Sequence, residues 1–114
     1  LQARAELFRV RIARAETSGD HETAMRALDD LIALLSVLWD KGVVEQTANF
    51  HTNYGYTGER LILLDIGELS DDPALVRSDR AAPKVLRKKG MAWLGRTYPA
   101  LAGCFARGLS GLNN

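Results

Sequence analysis

This sequence contains a single cysteine, and that scarcity excludes several classes of protein and of catalytic site. The single cysteine, Cys104, excludes an internal disulfide and is predicted to be a small buried hydrophobic residue beside Phe105. A catalytic thiol needs a histidine close to it in space, and both His21 and His51 are far from Cys104 along the chain. The sequence therefore gives no support to thiol catalysis.

Long apolar runs are also missing. No run reaches the ~18–20 residues that a membrane-spanning helix needs, and the opening residues Leu-Gln-Ala-Arg-Ala do not form a secretory signal. We therefore expect a cytoplasmic protein that contacts no membrane. The 114 residues are predicted to form a single domain, 1–114. Because the chain does not begin with Met, we keep open that it is a fragment of a longer protein.

Net charge is only +1, but the charges are unevenly distributed. Residues 17–75 hold three basic and eleven acidic residues, whereas residues 76–114 hold eight basic residues and one acid, Asp79. Such an asymmetry can mark a surface for nucleic acid or membrane. We favour the interpretation that the acidic and basic parts pack beside each other.

Apolar residues at helical spacing predict five helices. The clearest is 21–41, where a broad apolar stripe that includes Leu28, Leu31 and Leu35 ends at Gly42. The others are predicted at 3–16, 70–80 and 84–96, with a last helix after Pro99. The predicted fold class is α+β, predominantly helical, with one β-hairpin following a long core helix.

The hairpin is predicted in the most informative stretch, Asn53 to Glu68. Aromatic Tyr54-Gly55-Tyr56 precedes the break Thr57-Gly58-Glu59, and a continuous apolar run from Leu61 follows it and ends at Asp65. An acid at the end of a buried strand is often found where ligands bind. The alternative is that Asn53 and Asp65 simply cap turns.

The order of a long apolar helix, Lys-Gly-Val-Val, a polar loop, Asn53, a hairpin and Asp65-Ile66-Gly67 resembles part of the C-terminal lobe of protein-kinase-like phosphotransferases. The resemblance covers about residues 21–69. It implies that Asn53 and Asp65 hold magnesium on ATP, with Asp65-Ile66-Gly67 standing as a variant of the Asp-Phe-Gly motif. An amide oxygen and a carboxylate are suitable ligands for Mg²⁺.

Other parts of the kinase pattern are missing from this sequence. The family's catalytic Asp lies five residues before the Asn, and that position here is Ala48. His-Arg-Asp, a Gly-rich phosphate loop and Val-Ala-Ile-Lys are all absent, and Glu45, the nearest upstream acid, does not have the family's spacing. We therefore expect a pseudokinase-like domain without independent catalysis, which predicts that the natural protein extends upstream.

Two other functions stay open from the sequence. The chain can be a stand-alone helical protein–protein interaction module with no enzymatic activity, and a protein partner or a homo-oligomer is expected in either case. Nucleic-acid binding through the basic residues of 77–96 ranks lowest, because Trp93 is their only aromatic neighbour and is assigned to the core.

Overall fold

The computed structural model describes residues 6–46, 53–64 and 69–111. The fold is α+β and mostly helical, as predicted. The helices are α1 (Phe8–Thr17), α2 (His21–Asp40), α3 (Pro73–Ala81), α4 (Lys84–Thr97) and α5 (Pro99–Gly111), and the strands are β1 (Glu6–Leu7), β2 (Val44–Glu45), β3 (Tyr54–Thr57), β4 (Arg60–Leu63) and β5 (Leu69–Ser70).

The long helix α2 lies at the centre of the core. Asp20 caps its first turn by accepting a hydrogen bond from the Thr23 backbone N–H at 3.2 Å. The apolar stripe recurs at i, i+3 and i+4, so it forms one face that contacts α1, α3, α5, β2 and β4. The buried residues of this face are Ala24, Ala27, Leu28, Leu31, Ile32, Leu35 and Trp39.

The predicted hairpin is confirmed as β3 and β4. The two strands are antiparallel, with Tyr54 opposite Leu63 and Thr57 opposite Arg60. The turn between them has only two residues, and Gly58 takes φ 64°, a left-handed value that glycine adopts at little cost. Leu64 continues the ladder beyond β4, because its backbone N–H donates to the Asn53 carbonyl oxygen at 2.7 Å.

Two further strand pairs exceed the single hairpin that the sequence predicted. The first predicted helix, 3–16, begins only at Phe8, because Glu6–Leu7 pairs with β3 as a third strand. A polar loop was expected from Glu45 onward, but Val44 and Glu45 form β2 and pair antiparallel with β5. Two-residue strands are too short for a sequence pattern to identify, since their pairing depends on the partner strand.

An arginine expected on a solvated face instead links α1 to the hairpin. Arg4, Arg11 and Arg14 share one face at helical spacing, which predicts that they are solvated, but the Arg11 side chain is only 14% exposed. Its guanidinium lies 3.7 Å from the centre of the Tyr56 ring and donates to Glu6 at 2.7 Å and to the Gly58 carbonyl at 2.9 Å. Tyr56 in turn donates its hydroxyl to Asp30 of α2 at 2.8 Å.

The C-terminal helices α4 and α5 pack closely through small residues. A Cβ added to Gly90 of α4 would overlap the Phe105 ring, and one added to Gly108 of α5 would lie 2.6 Å from Ile32 Cδ1. Glycine has a low helix propensity, but Gly90 is needed in α4 because it allows close helix packing. Cys104 is only half-buried, contrary to the prediction, because it lies beside Arg107, whose Nη2 is 3.4 Å from its Sγ.

The packing of Gly90 gives a testable prediction. Gly90→Ala is expected to lower the free energy of unfolding by about 1–3 kcal/mol, because the overlap with Phe105 outweighs the gain in helix propensity. The matched control is Gly95→Ala in the same helix, where no atom lies within 4 Å of the added Cβ; it should stabilise the protein by up to ~1 kcal/mol. Urea denaturation measures both, and equal stabilisation by the two changes would contradict the packing argument.

Candidate functional site

A buried polar cluster lies where β2, the start of β3 and α3 meet. We call Glu45, Asn53, Tyr54, Asp79 and Trp39 the Glu45 cluster. Glu45 is 7% exposed and Asn53 is 3% exposed; they are the two buried polar or charged residues of the described chain. A buried carboxylate is costly unless it is hydrogen-bonded, so the position of Glu45 depends on its partners.

Hydrogen bonds hold the Glu45 carboxylate from two sides. The Asn53 Nδ2 donates to Oε1 at 3.5 Å, and the Tyr54 hydroxyl donates to Oε2 at 3.2 Å. Tyr54 is fully buried, and burial together with the charge of Glu45 raises the pKa of its hydroxyl above the ordinary value. The Tyr54 hydroxyl therefore keeps its proton at neutral pH and remains a donor to Glu45.

A second carboxylate, Asp79 of α3, lies close enough to Glu45 to line the same cleft. The Trp39 indole N–H donates to Asp79 Oδ2 at 2.9 Å, which links α2 to α3. Burial raises the pKa of Asp79 above its usual value, the charge of Glu45 raises it further, and the bond from Trp39 opposes the shift. Both carboxylates line a cleft of about 280 Å³, with Lys84, Leu75 and Val85 among the other lining residues.

The structure gives a partial account of the predicted metal ligands. Asn53 lies at the open end of the hairpin, with its amide Nδ2 facing Glu45 and its carbonyl oxygen bonded to Leu64. Asp65 lies outside the described residues. Glu45 lies beside Asn53 although its sequence spacing had argued against such a role, because the Asn53 amide donates to its carboxylate at 3.5 Å.

Little in the sequence pattern indicated the other members of the cluster. Asp79 is one acid in a basic segment, and the polarity of Trp39 is confined to the single N–H of its ring. The one available signal was Glu45 directly after the β-branched pair Val43-Val44, which suits a strand that enters the core. Of the predicted contacts between the acidic middle and the basic tail, the described residues show Arg80 with Asp40 at 2.8 Å.

The Glu45 cluster brings carboxylate and amide oxygens together. Within residues 6–46, 53–64 and 69–111, no three His, Cys, Asp or Glu side chains are grouped as metal ligands. The Glu45 carboxylate and the Asn53 amide are nevertheless hard oxygen donors of the kind that Mg²⁺ takes.

Comparison with known proteins adds no relative. No protein-family model matches the chain, no curated protein matches it, and no solved structure matches it. Among the described residues, no helix is both long and apolar enough to cross a lipid bilayer. The function of the chain therefore has to be inferred from its fold and from the geometry of the Glu45 cluster.

The Tyr54–Glu45 bond gives a testable prediction. Tyr54→Phe removes a donor from a buried carboxylate and is expected to lower the free energy of unfolding by about 1.5–3 kcal/mol. Tyr98→Phe is the matched control, because the Tyr98 hydroxyl makes no hydrogen bond in the described part of the chain; we expect a change under ~0.5 kcal/mol. If the two variants lose equal stability in urea denaturation, the hydrogen bond to Glu45 is not the cause.

The raised pKa of Asp79 predicts a dependence of stability on pH. The unfolded carboxyl has the usual pKa of 3.8, and the native one holds its proton to higher pH, so stability falls as pH rises through this interval. Asp79→Asn keeps an oxygen that can accept from Trp39 and removes the charge near Glu45. The variant should therefore be more stable than the wild type near pH 7, with a difference that shrinks as pH falls towards 3.8. Urea denaturation across this range tests it, and a variant that is less stable at every pH would show that the charge of Asp79 is needed.

Proposed function

We propose that this chain is a kinase-like domain, related to the C-terminal lobe of phosphotransferases, that binds magnesium and nucleotide phosphate without catalysing phosphoryl transfer. The binding corner consists of Asn53, with Glu45 beside it, and the segment that begins at Asp65. The main observation in support of the proposal is that β2 and β5, which flank the β3–β4 hairpin along the chain, pair with each other.

The β3–β4 hairpin lies in the chain between β2 and β5, and β2 pairs with β5. The segment from Glu45 to Asn53 and the segment from Leu64 to Leu69 therefore have neighbouring ends. Glu45 is opposite Leu69 at one place, and Asn53 is bonded to Leu64 at the other. This arrangement supports a site shared by the two segments, which is what the kinase resemblance requires of Asn53 and Asp65.

The side chains available support binding and argue against catalysis. In phosphoryl transfer an Asp of the catalytic loop accepts the proton of the attacking hydroxyl, and the matching position here is Ala48. Glu45 does not replace that Asp, because its carboxylate is buried and accepts hydrogen bonds from Asn53 and Tyr54. A carboxylate that is held by two buried donors is poorly suited to accept a proton from a substrate.

Magnesium, when bound, would neutralise phosphate oxygens and orient them. Asn53 would contribute its Oδ1 atom, since its Nδ2 is directed to Glu45, and Asp65 would contribute a carboxylate. Glu45 would fix the orientation of the Asn53 amide. The sequence has no Gly-rich phosphate loop, so we expect weak binding, with a Kd on the order of 1 mM.

The test compares two acids that are six residues apart. Binding of Mg²⁺–ADP is measured by calorimetry, and Mn²⁺ with ADP is followed by electron paramagnetic resonance of the free ion. Asp65→Asn should weaken binding at least ~10-fold, because it removes one charged ligand. Asp71→Asn, a change at an exposed position, is the matched control and should leave the Kd within about twofold.

Two outcomes would overturn the proposal. One is a wild-type chain that shows no saturable binding of the metal–nucleotide pair. The other is equal weakening by Asp65→Asn and Asp71→Asn, which would indicate general charge attraction. Either result would leave the helical interaction module as the function to pursue.

A further inference from the structure

The exposed face of α4 carries charge of one sign only. The helix has five cations and no acid, and Asp79 is the last acidic residue of the sequence. A face that serves only solubility usually mixes the two signs. The absence of acidic residues from α4 therefore favours a binding partner with negative charge.

The geometry of α4 places these cations together. Leu86, Gly90 and Leu94 are buried and define the inner side of the helix. At 100° per residue, Lys84 and Lys88 lie opposite them, between Arg87 on one flank and Val85 and Arg96 on the other. The remaining outward positions are Ala92 and Gly95, whereas Met91 is partly buried against the core, so the face carries cations with small or apolar residues and no neutral hydrogen-bonding side chain.

Lys84, Arg87 and Lys88 form no ion pair within the described residues. The ion pairs found there involve Arg11, Arg14, His21 and Arg80. Lys84, Arg87 and Lys88 are all exposed, and the predicted packing of the basic tail against the acidic middle does not reach them. Their charges are therefore open to an external partner.

Aliphatic side chains adjoin this cationic face. Val85 is 44% exposed and Leu75 of α3 is 43% exposed, and both line the same cleft as Lys84. Cations interleaved with exposed aliphatic groups are suited to the headgroup region of a membrane, where the charges meet anionic lipids and the aliphatic groups enter the acyl boundary. A nucleic-acid surface would instead present aromatic rings for stacking, and Trp93 is packed against Phe8 and Tyr98.

We propose that the outer face of α4, with Leu75 of α3, docks this domain on the surface of a bilayer that contains anionic phospholipids. The contact is peripheral. The expectation of no membrane contact came from the lack of a spanning segment, and a surface-bound helix does not need one. Lys84, Val85 and Leu75 line the cleft that Glu45 and Asp79 also line, but none of them belongs to the Glu45 cluster, and binding to vesicles needs no nucleotide.

The experiment measures binding of the full 114-residue chain to vesicles by flotation. Vesicles of phosphatidylcholine with about 30% phosphatidylglycerol should bind the chain, pure phosphatidylcholine should not, and binding should weaken as salt rises. The variant R87E/K88E should lose at least ~10-fold in partitioning, since two cations become anions on the docking face. The control R26E/R60E makes the same change in net charge at exposed positions on α2 and β4 and should bind nearly as well as the wild type.

Substitution of a single aliphatic residue distinguishes binding to a bilayer from binding to other polyanions. Val85→Ser should weaken vesicle binding by about threefold, because it removes apolar contact without altering charge. The proposal is overturned if the wild type does not bind anionic vesicles, if the two double variants lose binding equally, or if the Val85 change has no effect. Tighter binding to single-stranded or duplex DNA than to the vesicles would assign the face to nucleic acid.

Discussion

The apolar face of α2 has to be covered along its whole length, and this requirement arranges the rest of the fold. Helices α1, α3 and α5 and strands β2 and β4 all contact α2. The polar links between elements also start from this helix, since Asp30 accepts from Tyr56, Trp39 donates to Asp79 and Asp40 pairs with Arg80. Burial supplies the main driving force, and these links select one arrangement of the covering elements.

The Glu45 cluster follows from that arrangement. Once β2 pairs with β5 at the end of α2, the Glu45 side chain enters the interior, and its charge requires donors that are also buried. Tyr54 and Asn53 meet this need because the hairpin begins directly beside β2. The same contacts that stabilise Glu45 orient the Asn53 amide, so the requirement of the core and the proposed phosphate site are met by one set of atoms.

The charge distribution of the molecule creates two adjoining surfaces, which meet in the cleft lined by Glu45, Asp79 and Lys84. The cleft between β2, α3 and α4 receives the carboxylates of Glu45 and Asp79, while the outer face of α4 presents cations without acids. Arg80–Asp40 is an ion pair that the described residues show between the acidic middle and the basic tail. The two proposals address these two surfaces separately, one for metal and phosphate and one for an anionic lipid layer.

Secondary-structure elements that depend on residue spacing or on a backbone preference could be predicted from the sequence alone. The apolar period of α2, the glycine turn of the hairpin, the Asp72–Pro73 start of α3 and the break before Pro99 were all readable, because each depends on spacing or on a backbone preference. Only the tertiary structure decided the two-residue strands β1, β2 and β5, the buried state of Glu45 and the contact of Arg11 with Tyr56. These features join residues that are distant along the chain, and a pairing of that kind exists only after the core has brought its members together.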